Sequence, residues 1–276
     1  MNNTKNCIVT ISRGGNRPWF DINKQAMLAY ADMCDADFIQ GEDLNIDLDP
    51  YKDIKFGRPE TGIFVFERLP IIGELLKKYD RVLWLDDTCS ISQYCPNLFD
   101  IVPYGYVGAH NEGILDWVST FKNFDKLLEK NNHPLKIKSA QYFNAGVLLV
   151  DRTHSFLFEK ETLLKHGNLG YFSDFWVDQT YLNITTAFYK IPVFHLPYLF
   201  NVMLVYSLHE KQKHYLSLFL DEDILRIDDS NIPSFINDES MAPGGYNHAF
   251  IWHLTSFWEH NIKFNIVKEL SKYMIR

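Results

Sequence analysis

Apolar positions along the chain fall into short continuous runs that alternate with stripes at helical spacing. Cys7-Ile8-Val9-Thr10-Ile11-Ser12 is an apolar run halted by Arg13-Gly14-Gly15, and predicts a buried strand that ends in a loop. Pro18 suits a helix start, and Ile22, Ala26, Ala29, Tyr30 and Met33 follow at helical spacing. Asp37-Phe38-Ile39 reads as a second strand, and 41–58 as polar loop. Ile63, Phe66, Ile71 and Leu75 predict a helix over 60–78 that Pro70 kinks or divides. Arg81-Val82-Leu83-Trp84-Leu85 reads as a fully buried strand that stops abruptly at Asp86-Asp87. Further strands are predicted over 104–109, 146–151, 193–196 and 250–253, and helices over 153–166, 177–188 and 262–274. Residues 201–247 are irregular, polar and acidic. Strands alternating with helices specify an α/β fold.

The chain has 276 residues, enough for one large α/β domain with its own core. No repeat, low-complexity tract or Ser/Gly linker divides it, so one domain with an insertion is expected over two. The formal charge of −8 argues against a nucleic-acid partner and against a polybasic membrane anchor. An anionic substrate would then need a cation to help hold it. Met1–Asn6 lacks the apolar core of a signal peptide, and no window approaches about 18 apolar residues. Cys7, Cys34, Cys89 and Cys95 form no CxxC pair and read as reduced, mostly buried thiols. Together these lead to the expectation of a cytoplasmic protein without a transmembrane segment.

Motifs for other chemistries are missing. The chain has no GxGxxG, no GxxxxGK[ST] and no GxSxG, which removes sequence support for dinucleotide, P-loop and α/β-hydrolase sites. His209 and His214 are five apart, not the four that a zinc-protease helix requires. Asp221-Glu222-Asp223 with Asp228-Asp229 lacks the central Gly and closing Glu of a calcium loop. Asp86-Asp87-Thr88 remains. Two adjacent carboxylates at the end of a buried strand repel each other and resist ionisation unless a cation sits beside them. Hard divalent ions prefer such oxygen ligands, and the carboxyl ends of strands are where open α/β sheets bind ligands. Acids that merely cap the next turn or face solvent would give the same pattern.

Four segments carry a resemblance. Tyr79-Asp80-Arg81-Val82-Leu83-Trp84-Leu85-Asp86-Asp87-Thr88, followed by Cys95-Pro96-Asn97-Leu98-Phe99, resembles the donor-site segment of GT-A glycosyltransferases. Phe143-Asn144-Ala145-Gly146-Val147-Leu148-Leu149, Asp178-Gln179-Thr180-Tyr181-Leu182-Asn183 and Ile251-Trp252-His253-Leu254-Thr255-Ser256 follow in the expected order. The chain is most similar in these segments to the glycogenin-like group (glycosyltransferase family 8-like), which includes bacterial lipopolysaccharide galactosyltransferases. The likeness spans residues 7 to 260. It implies a single GT-A domain over 1–276, with a mixed central sheet flanked by helices. Residues 7–200 would form the nucleotide-sugar and metal core, 201–247 an acceptor-side insertion, and 248–276 a closing strand and helix.

The resemblance also implies an activity: transfer of a sugar, hexosyl or pentosyl, from a UDP-sugar to an acceptor hydroxyl with retention, dependent on Mn²⁺ or Mg²⁺. The acceptor would be a glycan, lipid, protein or polyol. By residue, it implies Asp86, Thr88 and His253 at the metal, and Asp178 and Gln179 at the sugar and its reactive carbon. Thr10, Ser12, Arg68, Asp87 and Asn144 would contact the donor. The chain departs from the family in two places. Thr88 stands where the second metal-binding aspartate is usual, so either Asp87 rotates in or Thr88 holds a metal-bound water. Ser256-Phe257-Trp258-Glu259 replaces the segment that carries a phosphate-binding lysine, and Lys263, Arg13 and Arg58 are the candidate substitutes. Two rivals follow. One is an inverting transferase using a GDP- or dTDP-sugar, with Asp178, Asp174 or Glu112 as the base. The other is a glycan-binding protein with a degraded site. Trp117, Tyr171, Phe172, Phe175 and Trp176 flank the motifs and suit sugar faces, as they equally suit a core.

Overall fold

The computed structural model describes residues 4–13, 17–51, 66–111, 142–166, 177–203, 249–254, 264, 267–268 and 270–276. Its strands are β1 (Asn6–Thr10), β2 (Ala36–Gln40), β3 (Arg81–Leu85), β4 (Cys89–Ile91), β5 (Val107–Asn111), β6 (Phe143–Asp151), β7 (Val193–Leu196), β8 (Val202–Met203) and β9 (Ile251–His253). Its α-helices are α1 (Pro18–Met33), α2 (Arg68–Leu76), α3 (Leu98–Ile101), α4 (Lys160–His166) and α5 (Val177–Phe188).

Six strands form a mixed sheet in the order β2-β1-β3-β6-β5-β7. β1 lies parallel to β2 and β3, and β7 parallel to β5. β6 runs antiparallel between β3 and β5. A small second sheet, β4-β9-β8, pairs β9 antiparallel to β4 and parallel to β8. It brings the end of the chain back beside the turn that follows β3.

Burial on both faces explains the apolar strands. Ile8, Leu83, Leu85, Val147 and Leu149 join one core with Trp19, Met27 and Tyr30 of α1 and Trp252 of β9. Val9, Val82, Trp84, Leu148 and Val150 join a second core with Leu69, Ile72 and Leu75 of α2 and Tyr181 and Leu182 of α5. Along β6 the alternation slips. Phe143 and Ala145 face the second core, but Val147 faces the first and Leu148 the second. The cause is a bulge. Ala109 of β5 pairs with Leu148, yet the next residue, His110, pairs with Asn144. Residues 145–147 thus have no ladder partner on the β5 side.

The structure corrects several sequence expectations. The strand predicted over 104–109 begins at Val107, because Pro103–Tyr106 forms a turn with Gly105 at φ +86°. The helix predicted over 153–166 is a 3₁₀ segment, Arg152–Phe158, followed by α4. The Asp151 carboxylate accepts from the Thr153 N–H at 3.0 Å, and extended backbone at Glu159 (φ −70°, ψ 143°) separates the two pieces. Pro70 lies in the first turn of α2, where its missing N–H costs nothing. The closing helix does not reach Met274, which bridges to Ser92 instead. All four cysteines are free and buried, and burial pushes the Cys34 thiol up to about 11. No helix among the described residues is long and apolar enough to cross a membrane.

Gly73 shows how tightly α2 is seated. A Cβ there would lie 2.8 Å from the Phe158 carbonyl oxygen, which is backbone and cannot rotate away. Gly→Ala in a helix normally stabilises by about 0.5–1 kcal/mol, but overpacking costs about 1–3 kcal/mol. Gly73→Ala is therefore expected to destabilise the protein, which urea unfolding would measure. A stabilised variant would refute the close contact.

Candidate active site

β3 ends at Leu85, and the backbone N–H of Asp86 donates to the Gly146 carbonyl at 2.9 Å. This fixes the Asp86 carboxylate at the strand's carboxyl end. Its Oδ1 accepts from the Trp84 indole N–H at 2.7 Å and faces Arg68 Nη2 at 3.3 Å. Its Oδ2 lies 3.4 Å from His253 Nε2. Burial pushes the Asp86 pKa up, but Arg68, with the Trp84 indole N–H, outweighs it and holds it below the usual carboxylate range.

Arg68, in the first turn of α2, is the only described cation between two acids of this site. Its Nη1 donates to the Ala145 carbonyl at 2.5 Å, and its guanidinium lies over the Trp84 ring, 5.2 Å from the centroid. Its Nε forms an ion pair with Asp178. Asp178 is almost fully buried at the start of α5. Burial raises its pKa, Arg68 lowers it and Asp86 raises it, leaving it above the ordinary value. Burial likewise works against the Arg68 charge, while Asp178 and Asp86 outweigh that effect.

The bulge in β6 supplies the floor. The Ala145 N–H donates to Gln179 Oε1 at 3.0 Å, and the Gly146 N–H to Asn144 Oδ1 at 2.8 Å. Asn183, one helical turn beyond Gln179, bonds both backbone groups of Phe143 and the Gln179 carbonyl. Gly146 is needed for close approach. A Cβ there would fall 2.1 Å from His253 Cε1, inside the imidazole.

Asp87 takes a different direction from Asp86. Its Oδ2 accepts from Ser12 Oγ at 2.8 Å and from Arg17 Nη1 at 2.5 Å, tying the end of β1 and the start of α1 to the end of β3. Thr10 is fully buried at the end of β1, and its hydroxyl has no hydrogen-bond partner among the described residues. Thr88 is buried, and its carbonyl accepts from the Leu254 N–H at 3.1 Å. Arg13, a candidate substitute for the lysine, is paired with Glu67 through two hydrogen bonds. Arg58, Glu112, Trp117, Tyr171, Phe172, Asp174, Phe175, Trp176, Lys263 and all but the first three residues of 201–247 lie outside the described residues.

The structure thus brings Asp86, His253, Arg68, Asp178, Gln179 and Asn144 around the bulge, and sets Ser12 and Asp87 beside them. Sequence reasoning missed Arg17, Asn183 and Asn201. Asn183 was within reach, since it lies four residues after Gln179 in the quoted segment. Asn201 left only a faint signal, a lone amide in the run Leu199-Phe200-Asn201-Val202-Met203.

The donor set can be tested against a divalent ion. Two ligands at adjacent vertices, each about 2.1 Å from the ion, sit about 3 Å apart. The Asp86 Oδ2–His253 Nε2 separation of 3.4 Å is close to that. Among the described residues no third His, Cys, Asp or Glu completes a metal group. The pair fits an ion that shares its coordination with ligand oxygens and water, not a closed protein cage.

Arg68→Met would leave Asp178 and Asp86 without their shared cation. Breaking one partner from a buried pair costs about 3–5 kcal/mol. Both carboxylates would then hold higher folded pKa values than in the wild type. The deficit is therefore expected to be largest above those values and to narrow as the pH falls through them. Urea unfolding of both proteins at pH 8 and pH 5 checks this, and a deficit equal at both pH values would refute it.

No protein-family model matches the chain, and no curated protein matches it. Solved structures do. A structure of the galactosyltransferase LgtC in complex with donor and acceptor sugar analogs is 14% identical, with 98% of this chain and 96% of that chain covered at a TM-score of 0.55. A glycosyltransferase involved in the glycosylation of the major capsid of PBCV-1 is 11% identical, with 96% and 98% covered at a TM-score of 0.54. An active-site mutant of LgtC gives a TM-score of 0.51. The likeness runs over nearly all of each chain, and this chain has the GT-A fold of those glycosyltransferases.

Proposed function

We propose that the protein is a metal-dependent glycosyltransferase that moves a sugar from a UDP-sugar to an acceptor hydroxyl with retention of configuration. The observation that carries this reading is the Asp86–His253 pair, set at a strand end beside Arg68, Asp178 and Gln179. A divalent cation held by Asp86 Oδ2 and His253 Nε2 would stabilise the charge that grows on the leaving diphosphate, without proton transfer. Trp84 and Arg68 occupy the other Asp86 oxygen, so the carboxylate is aimed before any ligand arrives. Ser12 and Asp87, tied together where β1 and β3 end, would face the nucleoside side of the donor.

Retention is supported by the character of the groups beneath the floor. Gln179 is a neutral amide, and its carbonyl oxygen already accepts from the Ala145 N–H. An amide so engaged is a poor nucleophile, so the leaving phosphate itself is the better acceptor for the hydroxyl proton. Asp178 is almost fully buried and paired with Arg68, which makes it a poor general base for an inverting attack.

Calorimetric titration of UDP with Mn²⁺, with EDTA as control, tests the site directly. Binding is expected with Mn²⁺ and lost in EDTA. Asp86→Ala is expected to weaken that binding by at least about tenfold and to abolish its EDTA sensitivity. No heat in either condition would overturn the UDP reading and favour another nucleotide or a glycan-binding role.

Gln179→Ala is expected to lower kcat by a factor on the order of 100 while changing donor affinity much less. Equal losses in kcat and affinity would assign Gln179 to positioning alone. Proton NMR of the first-formed product reads the anomeric configuration, and inversion would overturn the retaining mechanism.

A further inference from the structure

Asn201 precedes β8, whose parallel pairing with β9 brings it beside His253. It is fully buried, and both ends of its amide are engaged. Oδ1 lies 2.9 Å from His253 Nδ1, and Nδ2 donates to Asn144 Oδ1 at 2.9 Å. Asn144 Oδ1 also accepts from the Gly146 backbone N–H.

That backbone N–H anchors the direction of the whole chain. A backbone N–H can only donate, so the Asn144 atom facing it is oxygen. The Asn201 atom facing that oxygen must then be the NH₂. The other end of Asn201 is therefore oxygen and accepts from His253 Nδ1, which must carry the ring proton. Reversing the ring tautomer would flip Asn201, then Asn144, and would set an NH₂ against the Gly146 N–H in a buried site. Asp86 pulls the other way, since its carboxylate would accept a proton from Nε2. At 3.4 Å, however, that contact is longer than an ordinary N–H···O bond of about 2.7–3.2 Å, whereas the Asn201 contact falls within the range.

We propose that Asn201 is the positioning residue that fixes His253 as its Nδ1–H tautomer, so that the Nε2 lone pair faces the space beside Asp86 Oδ2. This rests on the reading of Asp86 and His253 as the cation pair. It also accounts for an imidazole nitrogen and a carboxylate oxygen held face to face: with Nδ1 protonated, Nε2 and Oδ2 are both acceptors, and a divalent cation between them satisfies both.

Ring ¹⁵N spectra of the whole chain test the assignment, with His253 identified by its loss in His253→Gln. In metal-free wild type, at a pH where the ring spectrum no longer changes, Nδ1 is expected to be protonated and Nε2 bare. Asn201→Leu removes both amide contacts. It is expected to release the tautomer and to weaken Mn²⁺ binding in the presence of UDP by about 10- to 100-fold. A protonated Nε2 in neutral wild type overturns the proposal, as does an unchanged tautomer in folded Asn201→Leu. Should the leucine variant not fold, the wild-type spectrum decides. A wild type that binds neither Mn²⁺ nor UDP would overturn the proposed function, while the metal-free spectrum would still decide the tautomer.

Discussion

The bulge leaves residues 145–147 without ladder partners on β5. Three side chains of the candidate site take backbone groups there, while Asp86 bonds through its own backbone on the β3 side. Gln179 takes the Ala145 N–H, Arg68 the Ala145 carbonyl, Asn144 the Gly146 N–H, and the Asp86 backbone N–H the Gly146 carbonyl. Unpaired groups at that depth would cost about 1–3 kcal/mol each, so the side chains must be where they are for the bulge to persist. The dependence is mutual. Within the bulge Gly146 faces His253, and only a glycine leaves room for that ring.

Electrostatics adds a second constraint. Asp86 and Asp178 approach the same guanidinium from different elements, one at the end of β3 and the other at the start of α5. Their fates differ because their other neighbours differ. Asp86 also has the Trp84 indole N–H and is the less deeply buried side chain, and it stays readily ionised. Asp178 is more deeply buried, with a like charge nearby, and is pushed up. One arginine thus holds two carboxylates of opposite tendency, the arrangement by which proteins separate the roles of chemically identical groups.

Much of this fold was legible wherever a single element decided its own state. The five-residue buried run of β3 and the Pro18-started stripe of α1 specify themselves locally. β5 was misplaced because aromatic Tyr104 and Tyr106 look strand-like, whereas Gly105 in the left-handed region makes them a turn. The 3₁₀ segment after β6 was unreadable because the Asp151 carboxylate, not the apolar spacing, sets its first turn. The second sheet was largely invisible. Its strands are two or three residues long, too short for alternation to register, and β4 pairs with β9 across more than 150 residues of sequence. Separation along the chain also hid Asn201. Its partners lie 57 and 52 residues away, and nothing local marks an amide in an apolar run as the link between them.

The departures from the family pattern also follow from the geometry. Asp87, the carboxylate nearest to Thr88, is held by Ser12 and Arg17, so it does not fill the place of a second metal-binding aspartate. The Arg13 guanidinium, a candidate substitute for the missing lysine, is held by Glu67. On the proposed reading, a cation would therefore meet only two protein ligands among the described residues. Two ligands make a weak site alone and an adequate one once diphosphate oxygens join them, which is how hard divalent ions are commonly held. Cation and donor would then be recruited as a unit. In such a site the aim of each protein ligand matters more than in a closed cage, because no third ligand among the described residues compensates for a misdirected one. Asp86 is aimed by Trp84 and Arg68, and His253 by Gly146 and Asn201. With so few ligands, the neighbours that aim them set how firmly the cation is held.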